Sequence, residues 1–176
     1  PEDKIEVVYN WVDQNAVVHV DRSENKLITK YNIDPTKFYI EYSGNIGLTQ
    51  NMDMLLDVMK DLKTSYPEIG LILVGEGAYK QQVEEIVRRD SLTNVIMLPF
   101  QPYEDISHVF SLGDVGIIIS KPGVGSNSVP SKTWSIMSAS RPVLANFDEN
   151  EIKSILSDNN CGIFTKAGDK EAFKNA

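Results

Sequence analysis

Short apolar segments rich in branched side chains recur along the chain, and each is followed by a polar loop. In several of them the apolar positions are consecutive, as in Leu71–Val74, rather than alternating with polar ones. Strands of this kind are buried on both faces, which is typical of a parallel sheet covered by helices. The segments predicted as strands are Ile5–Val8, Tyr39–Ser43, Leu71–Val74, Val95–Phe100, Val115–Ser120, Val143–Phe147 and Ile163–Thr165.

Amphipathic stretches with the apolar spacing of helices separate these strands. The alternation predicts βα units, and therefore a parallel sheet with right-handed crossovers and helices on both faces. The predicted fold class is α/β, a Rossmann-like, doubly wound parallel sheet. The predicted helices lie at Asn25–Tyr31, Met52–Leu62, Val83–Val87, Ile106–Leu112, Thr133–Ala139 and Ile152–Leu156.

Composition and charge narrow the class of function. Hydrophobic residues make up 41% and charged residues 24% of the 176 residues, as in ordinary globular domains. The 17 basic and 25 acidic residues give a net charge of −8, which argues against nucleic acid as a partner. A single nucleotide in a pocket is compatible with this charge, since it needs only local donors. The one cysteine, Cys161, excludes an intramolecular disulfide and favours a reducing compartment.

The candidate chemistry lies in the loops that follow the predicted strands. Ligands of open parallel sheets bind beyond the carboxyl ends of the strands. These loops are rich in glycine and small polar residues, which let the backbone approach a ligand and let successive amides converge on an anion. The loops are Ser43–Gln50, Gly75–Ala78, Phe100–Glu104 and Ser120–Lys132.

The last of these loops carries the clearest signal for an anion. Pro130 suits the first position of a helix, so amides around Ser126–Ser131 would be free at the helix N-terminus. A diphosphate is expected there, aided by the helix dipole and by Lys132. Taken alone, the loop is also compatible with a flexible segment that merely caps a helix.

Other familiar sites are not indicated by the sequence. Gly44 and Gly47 lack the spacing of a dinucleotide fingerprint, and no Gly-Lys-Ser/Thr closes a phosphate loop of the Walker type. His19 and His108 have no carboxylate or cysteine partners at ligand spacing, so neither a metal nor another cofactor is expected.

Several short motifs follow one another in a defined order. They are Ser43-Gly44-Asn45-Ile46-Gly47, Val74-Gly75-Glu76-Gly77, Leu98-Pro99-Phe100, the stretch Ser126–Lys132, and Ser140-Arg141-Pro142-Val143. In this combination they resemble the nucleotide-sugar half of the GT-B glycosyltransferases. They are most similar to glycosyltransferase family 4 (group 1), in the branch that builds bacterial capsule, exopolysaccharide and lipopolysaccharide.

The resemblance implies two Rossmann-like domains that face each other across a cleft. The C-terminal domain would bind an NDP-sugar donor, and the chain is similar to that domain alone. Residues 1–35 would form the crossover and lead-in segment and residues 36–176 the Rossmann-like core. The acceptor domain, with the catalytic groups that act on a glycan or lipid-linked acceptor, would be absent from this chain.

The implied activity is that of a hexosyltransferase in bacterial surface polysaccharide synthesis. The intact protein is expected in the cytoplasm, and peripheral association with the inner face of the cytoplasmic membrane is left open. This fragment alone is expected to bind nucleotide weakly and to transfer nothing, and no metal is expected to take part.

The resemblance also implies the residues of the donor site, with Lys132 stabilising the leaving diphosphate. Many members carry an Arg and a Lys where this chain has Asn45 and Gln50, and two glutamates where it has Asn127 and Ser135. The positions expected to bind the donor are Gly44, Asn45, Gly47, Gly75, Glu76, Gly77, Phe100, Gln101, Lys121, Ser126, Asn127, Ser128, Val129, Ser131, Lys132 and Ser135.

Two alternatives from other classes remain at this point. One is a non-catalytic module that binds a nucleotide or nucleotide sugar on the same scaffold, because a fold does not fix a function. The other is a domain like a response regulator, although the strand that ends near Ser120 is followed by Lys121 rather than by an acceptor Asp.

Overall fold

The computed structural model describes Lys4, Glu6 and residues 10–125 and 128–176. Strands and helices alternate along these residues, with a short 3-10 helix at Tyr103–Asp105. The strands are β1 (Phe38–Ser43), β2 (Ile69–Val74), β3 (Val95–Leu98), β4 (Val115–Ile119), β5 (Val143–Phe147) and β6 (Gly162–Lys166). The helices are α1 (Lys26–Lys30), α2 (Met52–Ser65), α3 (Lys80–Arg89), α4 (Ile106–Phe110), α5 (Lys132–Ser138), α6 (Glu151–Asp158) and α7 (Lys170–Asn175).

The strands form one parallel sheet in the order β3-β2-β1-β4-β5-β6. Ile40 of β1 pairs with Leu71 of β2 on one side and with Val115 of β4 on the other. The order reverses between β1 and β4, and this switch point is where a doubly wound sheet opens a crevice for a ligand. The sheet confirms the predicted α/β class. Its order differs from the 2-1-3-4-5 order of response regulators, so that alternative is wrong.

The predicted elements lie close to the observed ones, with a few differences at their ends. The predicted strand Val95–Phe100 ends at Leu98, and α7 was not predicted. The predicted segment Ile5–Val8 falls outside the described residues apart from Glu6. Helix α5 begins at Lys132, later than Pro130, because its first turn is closed by bonds between residues three apart, Thr133 N to Pro130 O and Trp134 N to Ser131 O.

The core consists of apolar layers on both faces of the sheet. Helix α2 covers one face with Leu55, Leu56 and Met59, which pack against Leu71 and Leu73 of β2. On the other face, α1 and α4 pack near β2 and β3, while α5 and α6 pack near β4 and β5. Burial on both faces explains why the strands carry consecutive apolar residues.

Arg22 links the segment that precedes the sheet to the start of β1. Its guanidinium donates to the carbonyls of Pro35 and Lys37 at 3.0 and 2.7 Å and pairs with Asp114 at 2.6 Å. The same Asp114 oxygen accepts a hydrogen bond from the Tyr39 amide at 2.7 Å. One carboxylate therefore joins the lead-in segment to the first strand.

Arg22→Ala is expected to lower the free energy of unfolding by about 1–3 kcal/mol, since it removes the ion-pair partner of a partly buried carboxylate and the donor to two carbonyls. Urea unfolding followed by circular dichroism measures the effect. Arg88→Ala, on the exposed side of α3, is the matched control and should change the stability by less than about 0.5 kcal/mol. Equal effects of the two variants would contradict the role of Arg22.

Candidate functional site

A cleft of about 440 Å³ opens at the carboxyl ends of the strands. The loops after β1 and β3 form one part of its wall, and α4 and the first turn of α5 form the rest. This volume lies in the range of small-molecule sites. The structure brings seven of the predicted donor-binding residues to this wall, namely Gly44, Asn45, Phe100, Gln101, Ser131, Lys132 and Ser135.

The glycines after β2 support the loop after β1 from behind rather than lining the cleft. The Gly44 amide donates to Val74 O at 2.9 Å, and a Cβ on Gly75 would overlap the Gly44 carbonyl oxygen. A Cβ on Gly77 would overlap the Ile46 carbonyl in the same way. Gly75 and Gly77 also have φ of +151° and +156°. Their prediction as donor-binding residues remains untested, and their packing shows a structural role in shaping the loop.

Asn45 and Gln50, two of the positions that depart from the family pattern, form hydrogen bonds around the loop after β1. Gln50 Oε1 accepts a hydrogen bond from the Gly47 amide at 3.1 Å, and the Asn45 carbonyl accepts one from the Tyr42 hydroxyl at 2.6 Å. These contacts fix the conformation of Gly44–Gly47 without adding a positive charge. Any positive charge at this end of the sheet must therefore come from another element.

The side chains of Glu76 and Lys121 contact residues outside the cleft. Glu76 forms an ion pair with Lys80 at 2.6 Å, one turn along the chain. Lys121 lies 5.8 Å from the ring centroid of Tyr79, and its amide donates to Thr49 O at 2.7 Å. Neither side chain lines the cleft, so the structure does not bring them to the seven predicted residues at its wall.

The Asp148 side chain accepts hydrogen bonds from backbone amides in the loop before α5. Its carboxylate accepts hydrogen bonds from the amides of Gly123 and Gly125 at 2.9 and 2.7 Å, which hold its pKa below the usual range. Asn150 donates to the carbonyls of Gly125 and Ser128, both at 3.0 Å. The amides of Gly123 and Gly125 directly precede the stretch Ser126–Ser131 that the sequence predicts as an anion site, and they are engaged by the β5–α6 loop.

The centre of the predicted anion site is described only in part. Ser126 and Asn127 lie outside the described residues, so their predicted contact with the donor is not placed. Ser128 is exposed and Val129 is half-buried, and neither lines the cleft. Lys132, at the start of α5, is therefore the predicted residue whose charge the structure places at the cleft.

The Lys132 ammonium lies at the end of β1 beside the loop that follows it. Its Nζ is 3.8 Å from the ring centroid of Tyr42 and 3.0 Å from the place that a Cβ on Gly44 would take. Burial lowers the pKa of Lys132 to about 8, and the charge of Glu41 acts in the opposite direction. Within the described part of the chain, no carboxylate forms an ion pair with Lys132. Its charge is thus available to an anion in the cleft.

Glu41 is a buried carboxyl group that the sequence analysis missed. It is 1% exposed, and its Oε1 has no hydrogen-bond partner among the described residues. Burial raises the pKa of Glu41 to about 8, while the nearby Ser43 hydroxyl and Lys132 ammonium act to lower it. The available signal was a single charged residue inside an otherwise apolar and aromatic strand, since such a residue is rarely fully buried without a partner.

The stability of the chain is expected to fall as the pH rises from about 4.5 to about 8, because the folded state holds the Glu41 proton across this window and the unfolded state releases it. The slope from one such group is at most about 1.4 kcal/mol per pH unit. Above about pH 8 the contribution of Lys132 is expected to raise the stability with increasing pH. Its pKa is lowered in the folded state, so the folded state releases this proton at a lower pH than the unfolded state does.

Glu41→Gln should remove the decline between pH 4.5 and 8, and urea unfolding at closely spaced pH values measures it. Glu84→Gln makes the same chemical change on the exposed face of α3 and should leave the decline in place. An unchanged pH dependence in Glu41→Gln would show that the buried carboxyl does not hold its proton.

The wall of the cleft opposite α5 consists of the loop after β3. The Phe100 ring is 71% exposed there. Gln101 is buried, and its amide nitrogen donates to Pro99 O at 2.6 Å and to the Tyr31 hydroxyl at 3.0 Å. The Gln101 side chain therefore holds the loop against α1 and leaves Phe100 facing outwards. This wall offers an aromatic surface and backbone groups to a ligand.

The described residues give no indication of a metal centre or a membrane span. Over residues 10–125 and 128–176, no group of three His, Cys, Asp or Glu side chains is placed to hold a metal ion. None of the helices in the described part of the chain is both long enough and apolar enough to cross a bilayer.

Comparison with known proteins identifies relatives along most of the chain. A family model described as glycosyl transferases group 1 matches residues 23–176. WcaI of Escherichia coli (strain K12), named as a colanic acid biosynthesis glycosyl transferase, is 28% identical over 129 residues. WbjE of Pseudomonas aeruginosa, named as a glycosyltransferase, is 23% identical over 158 residues. These matches cover 73% and 88% of this chain but 31% and 38% of the relatives, so the chain spans about a third of their length.

Solved structures share the fold. HepE from Anabaena in complex with UDP-glucose has a TM-score of 0.80 at 19% identity, over 97% of this chain and 46% of that one. The C-terminal domain of LpcC, a glycosyl transferase group 1 protein from Francisella tularensis, has a TM-score of 0.74 at 18% identity, over 94% of this chain and 85% of that one. These similarities confirm the Rossmann-like half of a GT-B fold.

Proposed function

The chain belongs to the family of glycosyl transferases group 1, and we propose that it forms the donor-binding domain of a glycosyltransferase. In this proposal the cleft binds an NDP-sugar, and a separate domain of the intact protein presents a glycan or lipid-linked acceptor. The transfer would serve bacterial surface polysaccharide synthesis, a role supported by the name of the relative WcaI.

The observation that carries this proposal is the Lys132 ammonium at the switch point. It lies beside the Gly44 backbone, has no ion-pair partner among the described residues, and reaches the cleft from the first turn of α5. A cation in a partly desolvated cleft attracts a phosphate more strongly than one in open water. The small residues Gly44, Ser131 and Ser135 leave room for a diphosphate against this charge.

The proposed ligand is a uridine nucleotide in the first instance. HepE is described in complex with UDP and with UDP-glucose, and TarM of S. aureus is described with UDP. In this chain the exposed ring of Phe100 offers a surface on which a base can stack. The backbone of Phe100 and Gln101 offers hydrogen-bonding groups to the edge of that base.

The proposed chemical role of the domain is to stabilise the leaving group. Transfer breaks the bond between the sugar anomeric carbon and the oxygen of the distal phosphate, and the electron pair leaves with the nucleoside diphosphate. The Lys132 ammonium would stabilise the negative charge that develops on that oxygen, which is electrostatic catalysis by a fixed donor. The hydroxyl oxygen of the acceptor forms the new bond to the anomeric carbon and loses its proton. The other domain would hold the acceptor and any group that takes this proton. The donor site needs no metal in this scheme.

A cytoplasmic location completes the proposal. The Cys161 thiol is free, as is typical of a protein in a reducing compartment. Contact of the intact protein with the inner face of the membrane would depend on a lipid-linked acceptor and on parts of the protein other than the cleft.

Isothermal titration of the chain with UDP, GDP and their sugars tests the proposal. Saturable binding of at least one nucleoside diphosphate is expected, and failure of all of them, also in a protein that includes the acceptor domain, would rule out a donor site. Sugar transfer by that longer protein separates an enzyme from a non-catalytic nucleotide-binding module.

A further inference from the structure

The buried side chain of Glu41 lies on the face of the sheet that helix α5 covers. Glu41 pairs in register with Gly116 of β4, and a Cβ on Gly116 would meet the side chain of Ile136 in α5. The Glu41 Cβ itself lies 2.5 Å from the place that a Cβ on Gly113 would take. The Glu41 side chain therefore lies on the same face of the sheet as Ile136. Lys132 precedes Ile136 by one turn of α5, so the two charged residues lie on the same side of the sheet.

Few other titratable groups face Glu41 from the surrounding elements. Its own strand places Tyr42 and Ser43 beside it, and α5 contributes Lys132. The adjacent strands present Ile72 and Gly116 in register, neither of which titrates. Helix α4 also contacts β1, and its one titratable side chain is that of His108, whose Nδ1 is buried without a hydrogen-bond partner among the described residues.

The unpartnered oxygen distinguishes this carboxyl from a structural one. A carboxylate kept for stability would be expected to accept hydrogen bonds, because a buried charge without them is costly. Glu41 Oε1 accepts none from the described residues, and Ser43 Oγ beside it is also without a partner. The group is therefore retained at a cost to the fold, on the side of the sheet from which Lys132 faces the cleft.

We propose that Glu41 is a positioning residue for Lys132, and that an anionic diphosphate binds in the cleft with uptake of a proton by this pair. An ionised Glu41 would draw the ammonium down towards the strand and would repel the diphosphate. A neutral Glu41 leaves the ammonium turned towards the cleft with its full charge. This inference rests on the proposed function, since it requires a diphosphate at Lys132.

Calorimetric titration with UDP at pH 8, in buffers of different ionisation enthalpy, counts the protons taken up. The wild-type chain is expected to take up as much as about one proton, shared between two groups that each titrate near this pH. Glu41→Gln should reduce the uptake to about half. Lys132→Arg carries a cation that does not titrate, so the remaining proton uptake of about half a proton should come from Glu41. The double variant should take up none.

The controls separate this inference from the function on which it rests. His108→Gln should leave the proton count unchanged, and far-ultraviolet circular dichroism establishes that each variant is folded. If wild type binds UDP but Glu41→Gln takes up as many protons as wild type, or Lys132→Arg takes up none, Glu41 has no such role. If Glu41→Gln does not fold, the Lys132→Arg count alone decides. Failure of the wild type to bind UDP or any other nucleoside diphosphate would overturn both the function and this inference.

Discussion

Lys132→Ala is expected to weaken the binding of UDP by about 10- to 100-fold. A hydrogen bond to a charged group contributes about 1.5–3 kcal/mol, and the variant removes the one lysine that the structure places at the cleft wall. The effect should be larger at low ionic strength, where the attraction between the ammonium and the diphosphate is less screened. Isothermal titration at two salt concentrations measures both the loss and its salt dependence.

Lys121→Ala is the matched control for this prediction. Lys121 follows β4 directly, but its ammonium lies near the ring of Tyr79 and away from the cleft. Its removal takes away the same charge from the same end of the sheet, and UDP affinity should change by less than about threefold. Equal losses of UDP affinity in the two variants would mean that the ligand responds only to the overall positive charge at this end of the sheet. That result would contradict a phosphate contact at Lys132.

The fold could be predicted from the sequence because its strands are buried on both faces. Consecutive apolar residues in β2 and β4 leave few interpretations other than central strands of a parallel sheet, and β5 was predicted with its observed limits. The ends of elements were less certain, since they depend on individual bonds. The late start of α5 follows from two hydrogen bonds between residues three apart, which no periodicity reveals.

The site was harder to predict because sequence motifs do not show which atoms are already engaged. The sequence predicts free amides around Ser126–Ser131, but it does not reveal that Asp148 of the β5–α6 loop engages the amides of Gly123 and Gly125 directly before that stretch. Gly75 and Gly77 are predicted to bind the donor, and the sequence does not reveal that they also pack against the loop after β1. Glu41 was missed because the argument for it depends on Lys132, which is distant in sequence and comes to the same side of the sheet only once α5 has packed there.

This chain has Asn45 and Gln50 where many family members carry an Arg and a Lys, and this difference affects how the free energy of diphosphate binding is expected to depend on pH. Gln50 and Asn45 fix the loop after β1 without offering a cation, so the diphosphate would depend on a single lysine whose own pKa is lowered by burial. Binding to this chain is therefore expected to be more sensitive to pH and to single substitutions than binding to a site with several arginines, which hold their charge at all physiological pH values.

Gly75→Ala is expected to lower the free energy of unfolding by about 2–5 kcal/mol, the largest effect on stability predicted for this chain. The backbone at Gly75 has a φ of +151°, which a residue with a Cβ rarely adopts. Its new methyl group would also overlap the Gly44 carbonyl oxygen, which is backbone and cannot rotate away. The two costs add, about 1–2 kcal/mol for the dihedral angle and about 1–3 kcal/mol for the overlap.

Gly123→Ala separates these two costs, because Gly123 has a φ of +81° but open space around the place of its Cβ. It should lose only about 1 kcal/mol in urea unfolding. The overlap at Gly75 also pushes on the loop that carries Gly44 at the cleft, so Gly75→Ala should weaken UDP binding while Gly123→Ala leaves it within about threefold of wild type. Similar losses of stability in both variants would show that the β1 and β2 loops can separate freely, and that their close packing does not hold Gly44 beside Lys132.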